Sequence, residues 1–222
     1  MGTDKAIEKL KKRALIDGHF VFTSGRHSSV YVNKDAVYAR TSEISKLCRI
    51  IAAQFAGFDP QMVIAPAVGG VVLSQWTTHH LSTLSKRDFS VPDPVLAAYA
   101  EKSKDGREFV IKREYAKLIP GKRVLVVEDV LTTGGSAKSV VKAVRKIGGE
   151  VIGVGALFNR GNVTKRKLGG VPKLFSICNE KMDDWPEDKC PLCVDGVPIN
   201  MDFGHGAEFL SRKTNETAED YL

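Results

Sequence analysis

The feature that most constrains this chain is a short segment that joins an apolar run, two acids and a glycine-containing loop. Residues 124–127 are valine and leucine only, which is typical of a strand buried on both faces of a parallel sheet. Glu128 and Asp129 follow, where we expect this strand to end. The loop 132–136 then leads into an amphipathic helix. The segment therefore predicts a strand, a ligand loop and a helix in direct succession.

The residue types of this loop indicate what it binds. Its glycines allow the backbone to approach a ligand closely, and its hydroxyl groups add hydrogen-bond donors. The first turn of the following helix offers unpaired N–H groups, which favour a phosphate. Carboxylates repel phosphate but accept hydrogen bonds from sugar hydroxyls, so the two acids suit a sugar. The predicted ligand is a sugar phosphate.

Strands and helices alternate along the rest of the core. We predict strands at 61–65, 94–99, 123–128 and 150–158, and helices at 42–55, 71–84 and 136–147. Alternation of this kind predicts an α/β fold with a central parallel sheet flanked by helices. A second glycine-containing loop, 66–70, follows the strand 61–65, and loops at the carboxyl ends of one parallel sheet share a crevice. Two anion loops in one crevice suit a ligand with phosphates at both ends.

Segment 124–136 resembles the phosphoribosyl pyrophosphate (PRPP) signature of the type I phosphoribosyltransferases, with its two acids and its Thr-Thr-Gly-Gly-Ser loop. The resemblance implies the fold of that family, with a small N-terminal hood. We accordingly expect one domain over residues 1–222. Within it we expect a hood region at 1–40, a PRPP-binding core at 60–165 and a C-terminal extension of unclear role at 170–222.

The resemblance also implies which residues hold PRPP, which the family binds as a Mg²⁺ complex. Glu128 and Asp129 are expected to meet the ribose and to take part in catalysis. The remaining expected PRPP contacts are Ala67, Val68, Gly69, Gly70, Lys102, Lys104, Val130, Leu131, Thr132, Thr133, Gly134, Gly135 and Ser136.

The charged stretch 102–117 is predicted to be a mobile lid, since it is rich in Lys and Arg and leads directly into the PRPP strand. A solvated loop is the alternative, because most charge runs are only that. In the orotate branch of the family the lid carries the catalytic lysine into the neighbouring subunit. Lys104 is the best match, so a homodimer with a shared lid is expected.

The base is indicated by residues 23–33, which resemble the hood of orotate phosphoribosyltransferases. Tyr31, Val32, Thr132 and Arg160 are the expected base contacts, and an arginine suits the anionic orotate ring. The resemblance implies transfer of phosphoribose from PRPP to orotate, giving orotidine 5'-monophosphate and pyrophosphate in pyrimidine biosynthesis.

The sequence also departs from the orotate pattern at three places. These are Thr23 in place of lysine, Glu101 in place of arginine, and Asp105-Gly106 where a histidine is common. Two alternatives therefore stay open: transfer to a purine or other base, and a PRPP-sensing regulator that binds nucleic acid. The net charge of +7 suits either a polyanionic small ligand or a nucleic acid. We find no basic, aromatic-interleaved stretch, and so expect no nucleic-acid partner.

Four cysteines raise the question of a metal. Cys48 lies in an apolar helical pattern and is expected to be a buried hydrophobic residue. Cys178, Cys190, Cys193 and His205 together could bind zinc, although their spacing matches no standard zinc finger and free thiols are the alternative. His19, His27, His79 and His80 receive no role.

The composition also bears on the cellular compartment. The sequence has no apolar run of transmembrane length, and its first residues do not resemble a signal peptide. We expect a cytoplasmic enzyme with no membrane partner.

Overall fold

The computed structural model describes residues 3–85 and 94–219. Its strands are β1 (Leu15–Val21), β2 (His27–Val32), β3 (Met62–Pro66), β4 (Leu96–Lys102), β5 (Phe109–Val110), β6 (Arg123–Leu131), β7 (Glu150–Asn159), β8 (Leu174–Asn179) and β9 (Asp184–Trp185). Its α-helices are α1 (Thr3–Ala14), α2 (Asp35–Tyr38), α3 (Thr41–Phe55), α4 (Val71–Ser85), α5 (Arg113–Leu118), α6 (Gly135–Lys146), α7 (Pro191–Val194) and α8 (Gly206–Glu219). Two short 3-10 turns, Ala56–Phe58 and Glu187–Lys189, complete the regular elements.

The strands form two sheets. The larger has six strands in the order β5-β4-β3-β6-β7-β8, and all its pairs are parallel except β4 with β5. The smaller is antiparallel, in the order β1-β2-β9. The larger sheet is flanked by helices, which confirms the predicted α/β fold with a central parallel sheet.

The core explains why the segment before the acids folds as a strand. Residues 124–127 of β6 are fully buried, so both faces of the strand are covered. On α6 the buried residues are Ala137, Val140, Val141 and Val144, the spacing of one helical face. That face packs with β3 and β6 into the main hydrophobic cluster. Burial of the strand and the helix fixes the loop between them.

β6 is longer than the sequence predicted. We expected it to end at residue 128, but it continues to Leu131, because β7 pairs with it as far as Leu131↔Asn159. On its other edge the pairing with β3 ends at Ile64↔Val126. Glu128 and Asp129 are therefore strand residues that lie beyond the paired part of β3.

Part of the predicted lid has regular structure. β4 and β5 pair as a hairpin through Glu101↔Val110 and Lys102↔Phe109, and α5 follows. The backbone N–H of Phe109 donates to Ser139 Oγ on α6 at 2.8 Å, so the base of the hairpin is anchored to the core. The sequence signal was weak here because β5 has only two residues.

The chain divides into two compact units. One comprises Met1–Lys9 and Val37–Lys181 and contains the six-stranded sheet. The other comprises Leu10–Ala36 and Met182–Leu222, and contains the three-stranded sheet and α8. The second unit thus combines much of the expected hood region with most of the expected C-terminal extension, whereas β8 belongs to the main sheet. The single-domain boundaries stay a prediction.

No helix within residues 3–85 and 94–219 is both long and apolar enough to span a bilayer.

Candidate active site

The loop between β6 and α6 has the geometry of an anion site. Gly134 caps α6 in a left-handed conformation, with φ of 78°, and a Cβ there would lie 2.9 Å from Val163 Cγ1. The backbone N–H of Gly135 donates to Thr133 Oγ1 at 3.3 Å. Glu128 and residues 130–136 line a cavity of about 140 Å³. Whole small-molecule sites measure roughly 300–1,000 Å³, so this cavity suits one end of a larger ligand.

The two acids are held rigidly beside this loop. Glu128 and Asp129 are only 6% and 7% exposed. Asp129 Oδ1 accepts a hydrogen bond of 2.7 Å from the backbone N–H of Val130, and Glu128 Oε1 accepts one of 3.2 Å from that of Asp129. These bonds orient both carboxylates from the strand itself. The arrangement provides fixed negative charge next to the loop 132–136, which we call the phosphate loop after its predicted ligand.

The second predicted loop leaves the neighbouring strand. The backbone N–H of Ala67 donates to Ala100 O at 2.7 Å, and that of Gly70 donates to Pro66 O at 3.1 Å. A Cβ on Gly70 would lie 2.6 Å from Ala65 Cβ, so only glycine fits this tight turn. Val68 at its tip is 86% exposed. Because β3 and β6 are adjacent and parallel, both loops leave the same edge of the sheet.

Arg160 and Gly161 support the phosphate loop through their backbone. The N–H groups of both residues donate to Leu131 O, at 3.1 and 3.0 Å. A Cβ on Gly161 would lie 1.5 Å from Thr132 O, so the two backbones are in direct contact. Arg160 is 3% exposed. We named Arg160 from the sequence, but the supporting role of Gly161 was missed because one glycine after a strand gives no signal of what packs on it.

The predicted lid residues lie on the β4–β5 hairpin. Lys102 ends β4, and Lys104 lies in the turn beyond it; both are exposed. Asp105 organises this turn: Ser103 Oγ donates to it at 2.5 Å and the N–H of Arg107 at 3.2 Å, and these bonds lower the pKa of Asp105. Gly106 has a φ of 70°, so two residues that depart from the family pattern form a tight turn.

The other departures also have local partners. Glu101 Oε2 forms an ion pair of 2.6 Å with Lys112 Nζ, which lies between β5 and α5. Thr23 Oγ1 lies 2.9 Å from His205 Nε2.

Two of the expected base contacts lie in the second unit. The ring of Tyr31 packs between those of Phe20 and Phe203, with both centroids 5.5 Å away, and Val32 is buried. The other two, Thr132 and Arg160, lie in the first unit. Their joint role in base binding stays a prediction.

The zinc ligands expected from the sequence differ from the group of potential ligands that the structure brings together. Cys190 and Cys193 do lie in a group of potential ligands, but their companions are His19 and His27. Cys178 lies in β8 instead, and its thiol is 3.9 Å from Glu180 Oε2. His205 contacts Thr23 and Glu208. Cys48 is fully buried, as expected, and burial raises the pKa of its thiol to about 12.

A larger cavity of about 410 Å³ lies between β5 and α6, and shares no lining residue with the phosphate loop. Its polar lining includes Lys142, Lys146 and Glu108. Its lining includes neither Glu128 nor any glycine of the loop 132–136, so the smaller cavity remains the candidate active site.

Comparison with known proteins shows the family of the chain. A model of the phosphoribosyl transferase domain matches residues 34–191. The chain is 35% identical over 187 residues to the orotate phosphoribosyltransferase of Chlorobium phaeobacteroides, covering 84% of this chain and 88% of that protein.

Two solved structures show the range of the fold. One is orotate phosphoribosyltransferase from Aeropyrum pernix, with a TM-score of 0.58 and 29% identity over 78% of this chain and 92% of that one. The other is adenine phosphoribosyltransferase from Thermoanaerobacter pseudethanolicus, with a TM-score of 0.58 but only 18% identity over 78% and 99%. Chains named for two different bases share this fold equally, so the base must be argued from the closer sequence relatives.

Proposed function

The chain belongs to the phosphoribosyl transferase family, and from that membership we propose that it transfers phosphoribose from PRPP to orotate, giving orotidine 5'-monophosphate and pyrophosphate. The observation that carries the reaction is the rigid acid pair of Glu128 and Asp129 beside two glycine-containing loops on one sheet edge. The base follows from relatives at about 35% identity that are named orotate phosphoribosyltransferase.

The proposed chemistry is a substitution at the anomeric carbon of the ribose. The bond from this carbon to the pyrophosphate oxygen breaks, and pyrophosphate leaves with the electron pair. The ring nitrogen of orotate forms the new bond and gives up its proton to the departing pyrophosphate. Positive charge builds on the ribose during this exchange, and the fixed carboxylates of Glu128 and Asp129 stabilise it because they need no reorganisation.

Magnesium enters this proposal as part of the substrate, the Mg²⁺–PRPP complex. Mg²⁺ prefers oxygen ligands and keeps several of its waters, so one or two carboxylates are enough to receive it. Glu128 and Asp129 fit this requirement, because they are adjacent carboxylates and Glu128 lines the cavity of the phosphate loop. The ion offsets the charge of the leaving pyrophosphate.

We expect Lys104→Ala to lower kcat by about a hundredfold and to change the PRPP dissociation constant by less than about threefold. Lys104 is an exposed cation at a hairpin tip, so it suits contact with the leaving group only when the lid closes. Single-turnover kinetics and PRPP titration would separate the two effects. Lys46→Ala, which removes an exposed lysine from α3, is the matched control and should leave both unchanged. Equal losses in binding and rate would contradict a role confined to the closed state.

The proposal includes a homodimer in which each lid serves the partner's site. Mixing Lys104→Ala subunits with Asp129→Ala subunits would then create one intact site in each mixed dimer. Recovery of up to about a quarter of wild-type activity is expected after random mixing. Verified mixed dimers without activity would refute the shared site.

For the base, Arg160→Ala should raise the KM for orotate and reduce kcat/KM by about tenfold to a hundredfold, the value of one charge-assisted hydrogen bond. PRPP affinity should change little. The matched control is Arg166→Ala, which removes an exposed arginine from the same loop. Because Arg160 is buried, the melting temperature of the variant must be measured alongside. An unchanged KM for orotate in a folded variant would remove Arg160 from the base site.

A single assay tests the proposed function as a whole. The protein is incubated with PRPP, Mg²⁺ and orotate, uracil, adenine or hypoxanthine, and nucleotide formation is followed. Orotate should be the preferred base, since uracil lacks the carboxylate. Conversion of a purine alone would overturn the base but keep the reaction. Binding of PRPP without any transfer would overturn the reaction. The proposed enzyme acts in the cytoplasm.

A further inference from the structure

The second unit holds a cluster of four side chains that the transfer reaction does not use. We propose that His19, His27, Cys190 and Cys193 bind one Zn²⁺ ion in a closed tetrahedral site that cross-links this unit. Their ligand atoms all lie within 4.8 Å of one another. Two imidazole nitrogens and two sulfurs are a donor set that selects zinc among the common divalent metals of proteins.

Three nitrogen-to-sulfur distances in the cluster match the edges of a zinc tetrahedron. Bonds of roughly 2.0–2.1 Å to nitrogen and roughly 2.3 Å to sulfur give N···S edges of roughly 3.6 Å. Cys190 Sγ and Cys193 Sγ lie 3.6 and 3.7 Å from His19 Nε2, and Cys193 Sγ lies 3.4 Å from His27 Nδ1. The two nitrogens are 2.8 Å apart, and a tetrahedron requires roughly 3.3 Å. Closing the site therefore requires a small separation of the two rings and a shortening of the longest ligand-atom distance, which is up to 4.8 Å.

Each pair of ligands is presented by a short, well-formed element. Val21 pairs with His27 across β1 and β2, and the rings of His19 and His27 lie with their centroids 5.0 Å apart, so the hairpin brings the two histidines together. Cys190 and Cys193 flank the first turn of α7, where the N–H of Val194 donates to Cys190 O at 3.2 Å. A Cys-x-x-Cys turn opposite two histidines is a common zinc-binding arrangement.

The surroundings orient the histidines for ligation. His19 Nδ1 lies 2.8 Å from Val197 O, a carbonyl that can only accept, so Nδ1 carries the proton and Nε2 presents its lone pair to the cluster. The ring of His27 meets Phe209 edge-on, with centroids 5.0 Å apart, while its Nδ1 faces the sulfurs. A hydrogen bond from a metal-binding histidine to a backbone carbonyl is the usual second contact in zinc sites.

Burial makes three of these four groups costly without a cation. His19, His27 and Cys190 are at most 1% exposed. Two thiolates and one Zn²⁺ sum to zero charge, so the ion converts a cluster of buried polar groups into a neutral, fully ligated site.

The second unit also has a structural need for such a cross-link. It comprises only Leu10–Ala36 and Met182–Leu222, below the roughly 70–80 residues at which a hydrophobic core suffices alone. Cys190 and His19 are 171 positions apart, so the ion would tie the two segments of the unit together. All four ligands come from protein and none is left for substrate, which makes the site structural rather than catalytic.

The test uses the full chain, expressed with zinc in the medium and purified without chelators. Elemental analysis should find about one Zn²⁺ per chain, and Co²⁺ substitution should give the visible bands of tetrahedral cobalt with thiolate charge transfer. Cys193→Ser, at an exposed position, should lose the metal and melt at least about 5 °C lower. Cys178→Ala is the matched control, since it removes a buried cysteine outside the cluster, and should retain zinc.

Two results would overturn the site. One is a wild-type chain that contains no zinc and gains no thermal stability when Zn²⁺ is added. The other is a Cys190–Cys193 disulfide in protein isolated under reducing conditions. His27→Ala provides a second variant, and its loss of the cobalt charge-transfer spectrum would tie the imidazole as well as the thiolates to the metal.

Discussion

Replacing Glu128 and Asp129 together with Gln and Asn should abolish phosphoribosyl transfer while the protein stays folded. The amides keep the size of the two side chains but remove the negative charge of Glu128, which lines the phosphate-loop cavity, and that of the adjacent Asp129. Charge that is fixed in advance next to a developing cation is worth about two to three orders of magnitude per group. We therefore expect kcat/KM to fall at least about a thousandfold, or ~4 kcal/mol. Steady-state kinetics with PRPP and orotate measures this directly.

The control for this variant is Glu150→Gln, which removes one exposed carboxylate from the start of β7, the opposite end of the same sheet. It should retain wild-type activity. Circular dichroism and thermal unfolding establish that the double variant is folded, because both acids are buried and also bond to backbone N–H groups. Turnover within about tenfold of wild type in a folded double variant would show that the ribose charge is stabilised elsewhere.

Gly161→Ala should be nearly as damaging, although Gly161 carries no side chain to the substrate. Its Cβ would lie 1.5 Å from Thr132 O, and a backbone oxygen cannot rotate away as a side chain can. The phosphate loop must therefore shift by an ångström or more. A misplacement of that size costs about a hundredfold in rate, so we expect at least that loss in kcat/KM, together with weaker PRPP binding.

Gly57→Ala is the matched control, because a Cβ at Gly57 meets no heavy atom within 4 Å. It should leave PRPP affinity and melting temperature unchanged. The Gly161 variant should also melt at a lower temperature, since overpacking costs about 1–3 kcal/mol. Wild-type PRPP affinity in Gly161→Ala would show that the loop does not depend on its contact with this backbone.

The sequence predicted the parts of the fold that are local. The apolar run before Glu128, the loop 132–136 and the amphipathic helix behind it are contiguous, so their pattern reports directly on β6 and α6. The turn at Gly70 was also predictable, because the strand and the loop that form it are contiguous in the sequence. The end of β6 was not, because the length of a strand is set by its partner, and β7 extends the pairing to Leu131.

The ligands of the proposed zinc site were half predictable. The Cys-x-x-Cys spacing of Cys190 and Cys193 is visible in the sequence, and both belong to the cluster. His19 and His27 were given no role, because nothing local distinguishes them from other buried histidines. Only the β1–β2 register and the approach of a segment about 170 positions away bring them to the two thiols.

The composition of the second unit has a consequence for synthesis on the ribosome. The hairpin of β1 and β2 emerges early from the ribosome. The third strand of its sheet, β9, and the helix α8, which packs on β1, are made only after the whole six-stranded sheet. At usual elongation rates that delay is on the order of ten seconds. During that interval β2 has an unpaired edge and the two histidines lack the thiols that face them. The N-terminal segment of this unit therefore cannot complete its sheet until the C-terminal segment has been translated. A chain released before Met182 would leave the unit without β9.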